Sequence, residues 1–452
     1  MFGAGETYLS AFAVYLRATT PQIGLLVSLP TLLGSFMQLV SAWLGKRTGR
    51  RKAIILAGAG LQALTWLPLA SLPLLFPQAA LPLLIGAAVV YHCGGHLVTP
   101  QWASLMGDIV PARRRGRFFA SRTQIVSLVT FVSLILGGLV LQTADELDMT
   151  HVGFVAIFGI AMLARMVSVY QLSKMHDPPG HVAALDFPMT WDAFRSLRDS
   201  NIVRFSVFFA LMQFSVAIAS PFFSVYMLRD LQFSYAEFMA NTGTSVLTQF
   251  LTLSQWGRIS DVFGNRRILS AAGLMLPAMP LLWLLSPSFW YLLAVQVLSG
   301  LAWAGFTLST GNFLYDSTAP EKRAGYLAMH NIMASSGILC GALVGGYLAT
   351  SLPASIGFFG GYWTPISSLL GVFAISAIAR AAVLFVLLPK IREVRRVRHI
   401  SFSDLIFRVT RVNALAGLVF DIVGTKPKAA ATDPTGQPRD APSRGDFTRD
   451  RE

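Results

Sequence analysis

The feature that most constrains this chain is an apolar run of about twenty residues that recurs from near the start to residue 390. A helix of that length spans the ~30 Å of hydrocarbon in a bilayer. Lipid offers the backbone no hydrogen-bond partner, so runs of this kind must be helices. Twelve spans are read, at about 3–17, 23–44, 53–76, 80–106, 118–142, 152–172, 202–228, 235–256, 268–287, 289–315, 325–350 and 365–389. The first is short, since the residues up to Arg17 barely cross a bilayer. Pro21 opens the second, where its missing N–H costs nothing. The expected fold class is an all-α membrane protein of twelve transmembrane helices. Charge agrees: 13% of the residues are charged, against about 25% in an ordinary soluble domain.

Loop charges give an orientation. The connections at 45–52, 107–122, 173–204, 257–267 and 316–323 hold 5, 5, 4, 3 and 2 Lys or Arg, and the opposite set holds only Arg17 and Arg229. The turn Asp145-Glu146-Leu147-Asp148 is purely acidic. By the positive-inside rule the basic set is cytosolic and so are both termini, as in a multi-pass protein of the cytoplasmic (inner) membrane. The net charge of +14 is therefore read as a topology mark and not as a nucleic-acid-binding surface. The start, Met1-Phe2-Gly3-Ala4, lacks the basic segment of a signal peptide. Cys93 and Cys340 both fall in apolar spans, so buried free thiols and no disulfide are expected.

The organisation follows. Residues 1–172 form a six-helix half and 202–389 a second one. Between them, 173–201 is a cytosolic linker in which Phe187, Trp191, Phe194 and Leu197 recur at helical spacing. Residues 390–424 combine a basic cluster, suited to anionic lipid headgroups, with a second amphipathic helix, and 425–452 read as a disordered tail.

The two halves repeat one another. Gly257-Arg258-Ile259-Ser260-Asp261-Val262-Phe263-Gly264-Asn265-Arg266-Arg267 joins the second and third spans of its half. A degenerate copy, Ala42-Trp43-Leu44-Gly45-Lys46-Arg47-Thr48-Gly49-Arg50-Arg51-Lys52, does the same in the first. Aligning Gly49 on Gly264 places Arg51 and Lys52 on Arg266 and Arg267. Phe12-Ala13-Val14-Tyr15-Leu16-Arg17 echoes Phe223-Ser224-Val225-Tyr226-Met227-Leu228-Arg229, with one extra residue in the second copy. Asp108 and Arg115 echo Asp316 and Arg323, each pair seven apart around a proline. Gly137-Gly138 falls on Gly345-Gly346, and Ala164-Arg165 on Ala379-Arg380.

The Gly257–Arg267 stretch resembles the loop signature of the major facilitator superfamily of secondary transporters, and the resemblance spans roughly residues 1–390. It implies two pseudo-symmetric six-helix halves with a solute site between them at midplane. It also implies that the basic turns are gates: Gly257, Asp261, Gly264, Arg266 and Arg267 in the second half, Gly49 and Arg51 in the first. The Asp108/Arg115 and Asp316/Arg323 turns resemble a second, less specific loop of the family, suggesting ion pairs made or broken as the halves rock. The first copy departs from the signature: Lys46 stands where the family has Asp, which argues for an asymmetric latch.

Polar groups inside apolar spans are costly and therefore informative. Glu6 lies eleven residues before Arg17, about 16 Å along a helix. A carboxyl taken out of water favours its neutral form, which suits it to carrying a proton; the alternative is a shallow interfacial position. His92 and His96 share one helix face and are read as an intrahelical pair with proton relay as the alternative; no further ligand spacing points to a metal. Trp303 and Asn312 offer stacking and hydrogen bonding, or core packing. Arg165 and Arg380 lie ~12 and ~15 Å inside their helix ends. In the resembled fold these helices are peripheral, which favours a structural role bonded to carbonyls of the same half over a role in substrate binding or coupling.

The chain is therefore read as a secondary transporter moving a small solute by alternating access. Protons are the expected coupling ion, membrane lipid the surroundings and a monomer the expected state. No cofactor, metal or catalytic residue is expected. No GxxxxGK[ST] occurs, which argues against a primary pump, and no nucleophile–base pair supports an enzyme. A transporter-like receptor or scaffold without transport is the alternative.

Overall fold

The computed structural model describes residues 3, 5–110, 115–177, 201–317, 323–353, 356–358, 361–363 and 367–393. The chain divides into two compact units, Met1–Ile406 and Phe407–Glu452, and every described residue belongs to the first. The amphipathic helix expected in the linker, most of the 390–424 segment and the tail from 425 lie outside the described residues.

Twelve helices of seven or more residues form the described part. Helix α1 (Leu9–Tyr15) follows a 3-10 turn at Glu6–Tyr8, and α2 (Thr20–Thr48), α3 (Arg51–Leu75), α4 (Ala80–Ile109), α5 (Arg115–Glu146) and α6 (Thr150–Lys174) complete the first half. The second half comprises α7 (Asn201–Ala217), α8 (Tyr235–Phe263), α9 (Asn265–Leu282), α10 (Phe289–Asp316), α11 (Arg323–Ser351) and α12 (Leu369–Leu387). Starts and stops follow local chemistry. The Gln22 side chain takes the Thr19 N–H at 2.9 Å at the head of α2. Ser234 and Glu237 cap α8 reciprocally, at 2.9 and 3.2 Å, which satisfies N–H groups that a helix start leaves open. A short antiparallel hairpin, Ile356–Phe358 with Gly361–Trp363, lies between α11 and α12 where the sequence reading placed only a loop.

Two stretches differ from the sequence reading. The second-half basic turn is nearly all helix: α8 runs on to Phe263, and Gly264 alone, at φ +85°, separates it from α9. Gly257 therefore lies within a helix and does not open a turn. A helix need not stop at the bilayer surface, because water can solvate its exposed end. Helix α7 ends at Ala217 and resumes as a single turn, Phe222–Val225, and a π turn, Tyr226–Asp230. Pro221, at the break, supplies no N–H to continue the ladder. The π turn accounts for the extra residue in the second copy of the Phe-x-Val-Tyr motif, since a π turn accommodates one residue more than an α turn.

The two halves repeat one pattern of neighbours. α2 packs on α4 as α8 packs on α10, α3 on α4 as α9 on α10, and α3 on α6 as α9 on α12. The halves meet where α2 lies against α11 and α5 against α8, the same interface taken twice. Nine helical segments among the described residues are long and apolar enough to cross a membrane; α1, α8 and α9 are not among them. α8 carries Asn241, Thr244, Ser245, Thr248, Gln249 and Thr252. A helix packed between α5 and α10 is shielded from lipid, so it tolerates such a sequence where a lipid-facing one does not.

The packing differs between the two ends. At the end away from the basic turns, one continuous apolar cluster draws on both halves, with Tyr8, Phe12, Trp66, Tyr91 and Phe158 from the first and Phe222, Tyr226, Trp283 and Phe373 from the second. Towards the basic end the described core residues fall into two separate groups. Ile55, Ala59, Val98, Leu105 and Met106 belong to the first half, and Phe205, Phe208, Leu276, Phe306 and Phe313 to the second.

Candidate functional site between the two halves

Midway along α2 and α11 the contact between the halves becomes polar. The hydroxyls of Ser35 and Ser335 lie 2.9 Å apart. Asn331 donates from Nδ2 to Gln38 Oε1 at 3.1 Å, and Gln38 Nε2 lies 2.8 Å from His96 Nδ1. A chain of hydrogen bonds thus runs from α11 through α2 to α4. Gly34 makes room for it: a Cβ there would sit 2.5 Å from His96 Cδ2. The same two first-half helices are stitched lower down, where Ser41 donates to the Leu97 carbonyl at 2.7 Å and Gln101 to the Ser41 carbonyl at 2.9 Å.

A second polar group lies wholly in the first half. The Tyr91 hydroxyl donates to Glu6 at 3.1 Å. Tyr91 is eleven residues into α4, about 16 Å from its start, so Glu6 lies level with the inner turns of that helix. Tyr91 packs edge-on against Trp66 at 5.0 Å. Arg165 reaches from α6 to Gln62 Oε1 on α3 at 2.5 Å and to Ser168 at 3.5 Å, and its buried Nε has no hydrogen-bond partner among the described residues. Arg380, its repeat partner, is 3% exposed and bonded to Ser376 Oγ at 3.1 Å and to the carbonyls of Leu276 and Val216 at 3.1 and 3.4 Å. Those carbonyls belong to its own half.

At the basic end, Arg51 is 2% exposed, paired with Asp108 and with Asp177, the latter at 2.8 Å. In the second half an amide meets the repeated Asp: Asn265, one residue before Arg266, the repeat counterpart of Arg51, donates from Nδ2 to Asp316 at 2.7 Å, and Ser260 donates to Asn265 Oδ1 at 2.5 Å. Arg266 gives its backbone N–H to Glu393 at 2.8 Å. Gly49, at φ +63°, ends α2 as Gly264 ends α8. The side chains of Asp261, Arg115 and Arg323 lie outside the described residues.

The structure thus joins His96 to the inter-half chain and places the His92 ring 6.5 Å from it in near-parallel orientation (27°). Trp303 stands edge-on to Phe306 at 5.8 Å and packs with the second-half core. Asn312 is half-buried on α10, one turn before Asp316. Cys93 is half-buried and Cys340 exposed, both free; the expectation of burial fails for Cys340. Sequence reasoning missed Gln38, Asn331, Ser35 and Ser335. All four are neutral, and the partners lie 293 and 300 positions apart. Their signal was Ser35 and Gln38, three residues apart on one face of an apolar helix.

A twelve-helix bundle of two repeated halves, joined by a polar contact at mid-depth, is the architecture of a secondary transporter. The family model of the Major Facilitator Superfamily matches residues 2–216 and 205–425, and the chain belongs to that family. No curated protein sequence matches. Among solved structures, the nucleoside transporter NupG superposes with a TM-score of 0.62 at 16% identity, covering 86% of this chain and 95% of its own. A D-xylose-proton symporter gives 0.63 at 13%, covering 86% and 93%. A bacterial homologue of the human lysosomal transporter Spinster, in an inward-facing and unoccupied conformation, gives 0.56 at 14%, covering 85% and 90%. At these identities the likeness is one of fold.

Proposed function

We propose that the protein moves a small solute across the cytoplasmic membrane by alternating access, with Glu6 coupling transport to protons. The observation that carries this reading is the unequal packing of the two ends. An interface that is apolar and continuous at one end, polar at the middle and divided between two cores at the other is what rocking of two rigid halves requires. The basic turns face the cytosol by the loop-charge argument, so the described conformation is closed outward. The halves are 1–172 and 202–389, with 173–201 as the cytosolic connection. Arg51 with Asp108, and Asn265 and Arg266 with Asp316 and Glu393, brace the cytosolic ends of their helices. Asp261 stands in the same region as a gate residue, by resemblance to the family. The nucleoside transporter and the D-xylose-proton symporter both move small solutes, and the second moves protons, which agrees with this reading.

Glu6 is held at depth by one neutral hydroxyl. It is the one carboxyl deep within a span, Glu237 standing in the first turn of its helix, so it is the group suited to take a proton from one side and release it to the other. Glu6→Gln cannot make that exchange. In proteoliposomes the Gln variant should lose solute accumulation driven by a pH gradient by at least tenfold, while exchange between equal solute pools survives. Full gradient-driven uptake by the variant would remove Glu6 from the mechanism. Binding without flux in the unaltered protein would instead favour a transporter-like receptor.

A further inference from the structure

Charge is missing from every long helix around the middle of the molecule. Residues 20–45 of α2, 80–107 of α4, 123–144 of α5, 205–228 of α7 and its continuation, 238–257 of α8, 289–315 of α10 and 324–351 of α11 contain no Asp, Glu, Lys or Arg. These are the helices that form the two inter-half contacts, α2·α11 and α5·α8, together with α4, α7 and α10, which pack on α2, α11 and α8. Arg122 and Arg204 stand near the basic ends of α5 and α7, while the arginines deep within spans, Arg165 and Arg380, are on α6 and α12. Each is turned to partners of its own half, Gln62 and Ser168 for Arg165, and Ser376 and two carbonyls for Arg380.

Glu6 is also set apart from the inter-half chain. It is bonded to Tyr91, five residues before His96 and therefore about 140° around α4 from it. What the halves present to each other at mid-depth is a set of hydroxyls, carboxamides and one imidazole: Ser35, Gln38, His96, Asn331 and Ser335. Each amide offers both a donor and an acceptor. Within the chain Asn331→Gln38→His96 they already satisfy one another, which closes the middle when nothing else is bound.

We infer that the solute is uncharged and rich in hydroxyl or amide groups, and that it binds by taking over the hydrogen bonds that Gln38, His96 and Asn331 make with one another. The inference rests on the carrier reading above. An ion brought to this place finds no countercharge among the described residues, and an unpaired charge out of water is strongly disfavoured. A polyol or nucleoside exchanges one set of neutral hydrogen bonds for another, which is nearly balanced. An uncharged solute also gains nothing from the membrane potential, so accumulating it needs a separate coupling ion. That is the place the structure leaves for Glu6, away from the solute contacts.

The test is thermal stabilisation of the purified full-length protein by D-glucose, myo-inositol and uridine, against L-glutamate and choline as charged probes, followed by labelled flux in proteoliposomes. At least one uncharged probe should raise the melting temperature, because a ligand of the native state stabilises it. Its affinity should fall about tenfold in Asn331→Ala and in Gln38→Ala, the loss of one buried hydrogen bond. Ser335→Ala, a smaller change at the same contact, guards against a variant that fails to fold and should weaken binding severalfold. Stabilisation by glutamate or choline alone, or by no uncharged probe, overturns the inference. A neutral probe that binds but does not cross keeps the solute class and removes the carrier reading; a charged probe that crosses does the reverse.

Discussion

The two ends of this molecule are held by different chemistry. Away from the basic turns, both halves share one apolar cluster, and backbones touch: a Cβ on Gly24 of α2 would meet the Ala342 carbonyl of α11 at 3.0 Å, and one on Gly346 would meet Pro21 at 3.0 Å. At the basic end the described strong contacts are Arg51 with Asp108, Arg51 with Asp177 at the start of the linker, and Asn265 with Asp316, and none of them joins one half to the other. Apolar contact between halves is non-directional and easily remade elsewhere. The charged and amide contacts at the basic end are directional and hold the cytosolic ends of the helices in place within each half. A structure divided in this way can open one end without disturbing either half.

Removing a brace should therefore injure a half, and filling an interface should injure the movement. The largest effect is expected for Arg51→Ala. Arg51 is nearly fully buried and both acids are less than a third exposed, and breaking a buried pair leaves an uncompensated charge worth about 3 kcal/mol. Melting of the purified variant should fall accordingly, whereas Asn265→Ala should lose about 2 kcal/mol, the net value of a hydrogen bond to a charged group. Equal losses would mean that the two basic turns do the same work despite their different residues. Gly24→Leu should be smaller in stability and different in kind. The added side chain obstructs the closed outer end by about 1–3 kcal/mol, so solute exchange should slow severalfold while the protein stays folded and monodisperse. Normal exchange by this variant would show that the α2·α11 contact is not remade in each cycle.

Much of the fold was legible in the sequence because the bilayer leaves few choices: a run of about twenty apolar residues must be a helix. The repeat was legible in Arg165 and Arg380, in the two basic turns and in the duplicated Asp. Hydropathy carries no information on backbone breaks, so the interruption at Pro221 was read through. It also cannot see a helix that outlives the membrane, which is why Gly257 was taken for a turn when it lies six residues inside the end of α8. Glu6 was found because a charge in a span stands out. The Gln38–Asn331 contact was not found, because neutral polar residues in a span are common and only the fold brings these two together. Arg165 and Arg380 share a sequence context and part company in the structure: one reaches a side chain on α3, the other carbonyls of α7 and α9.

The central claim is that the two ends open and close in opposition. Spin labels on Asp148 and Ser286, at the end away from the basic turns, and on Thr48 and Arg392, at the basic end, measure it in reconstituted protein with Cys93 and Cys340 replaced. Without solute the first pair should be near and the second far. Lowering the pH in the presence of a transported solute should lengthen the first distance and shorten the second together. Two distances that stay fixed, or that change in the same direction, would contradict the account.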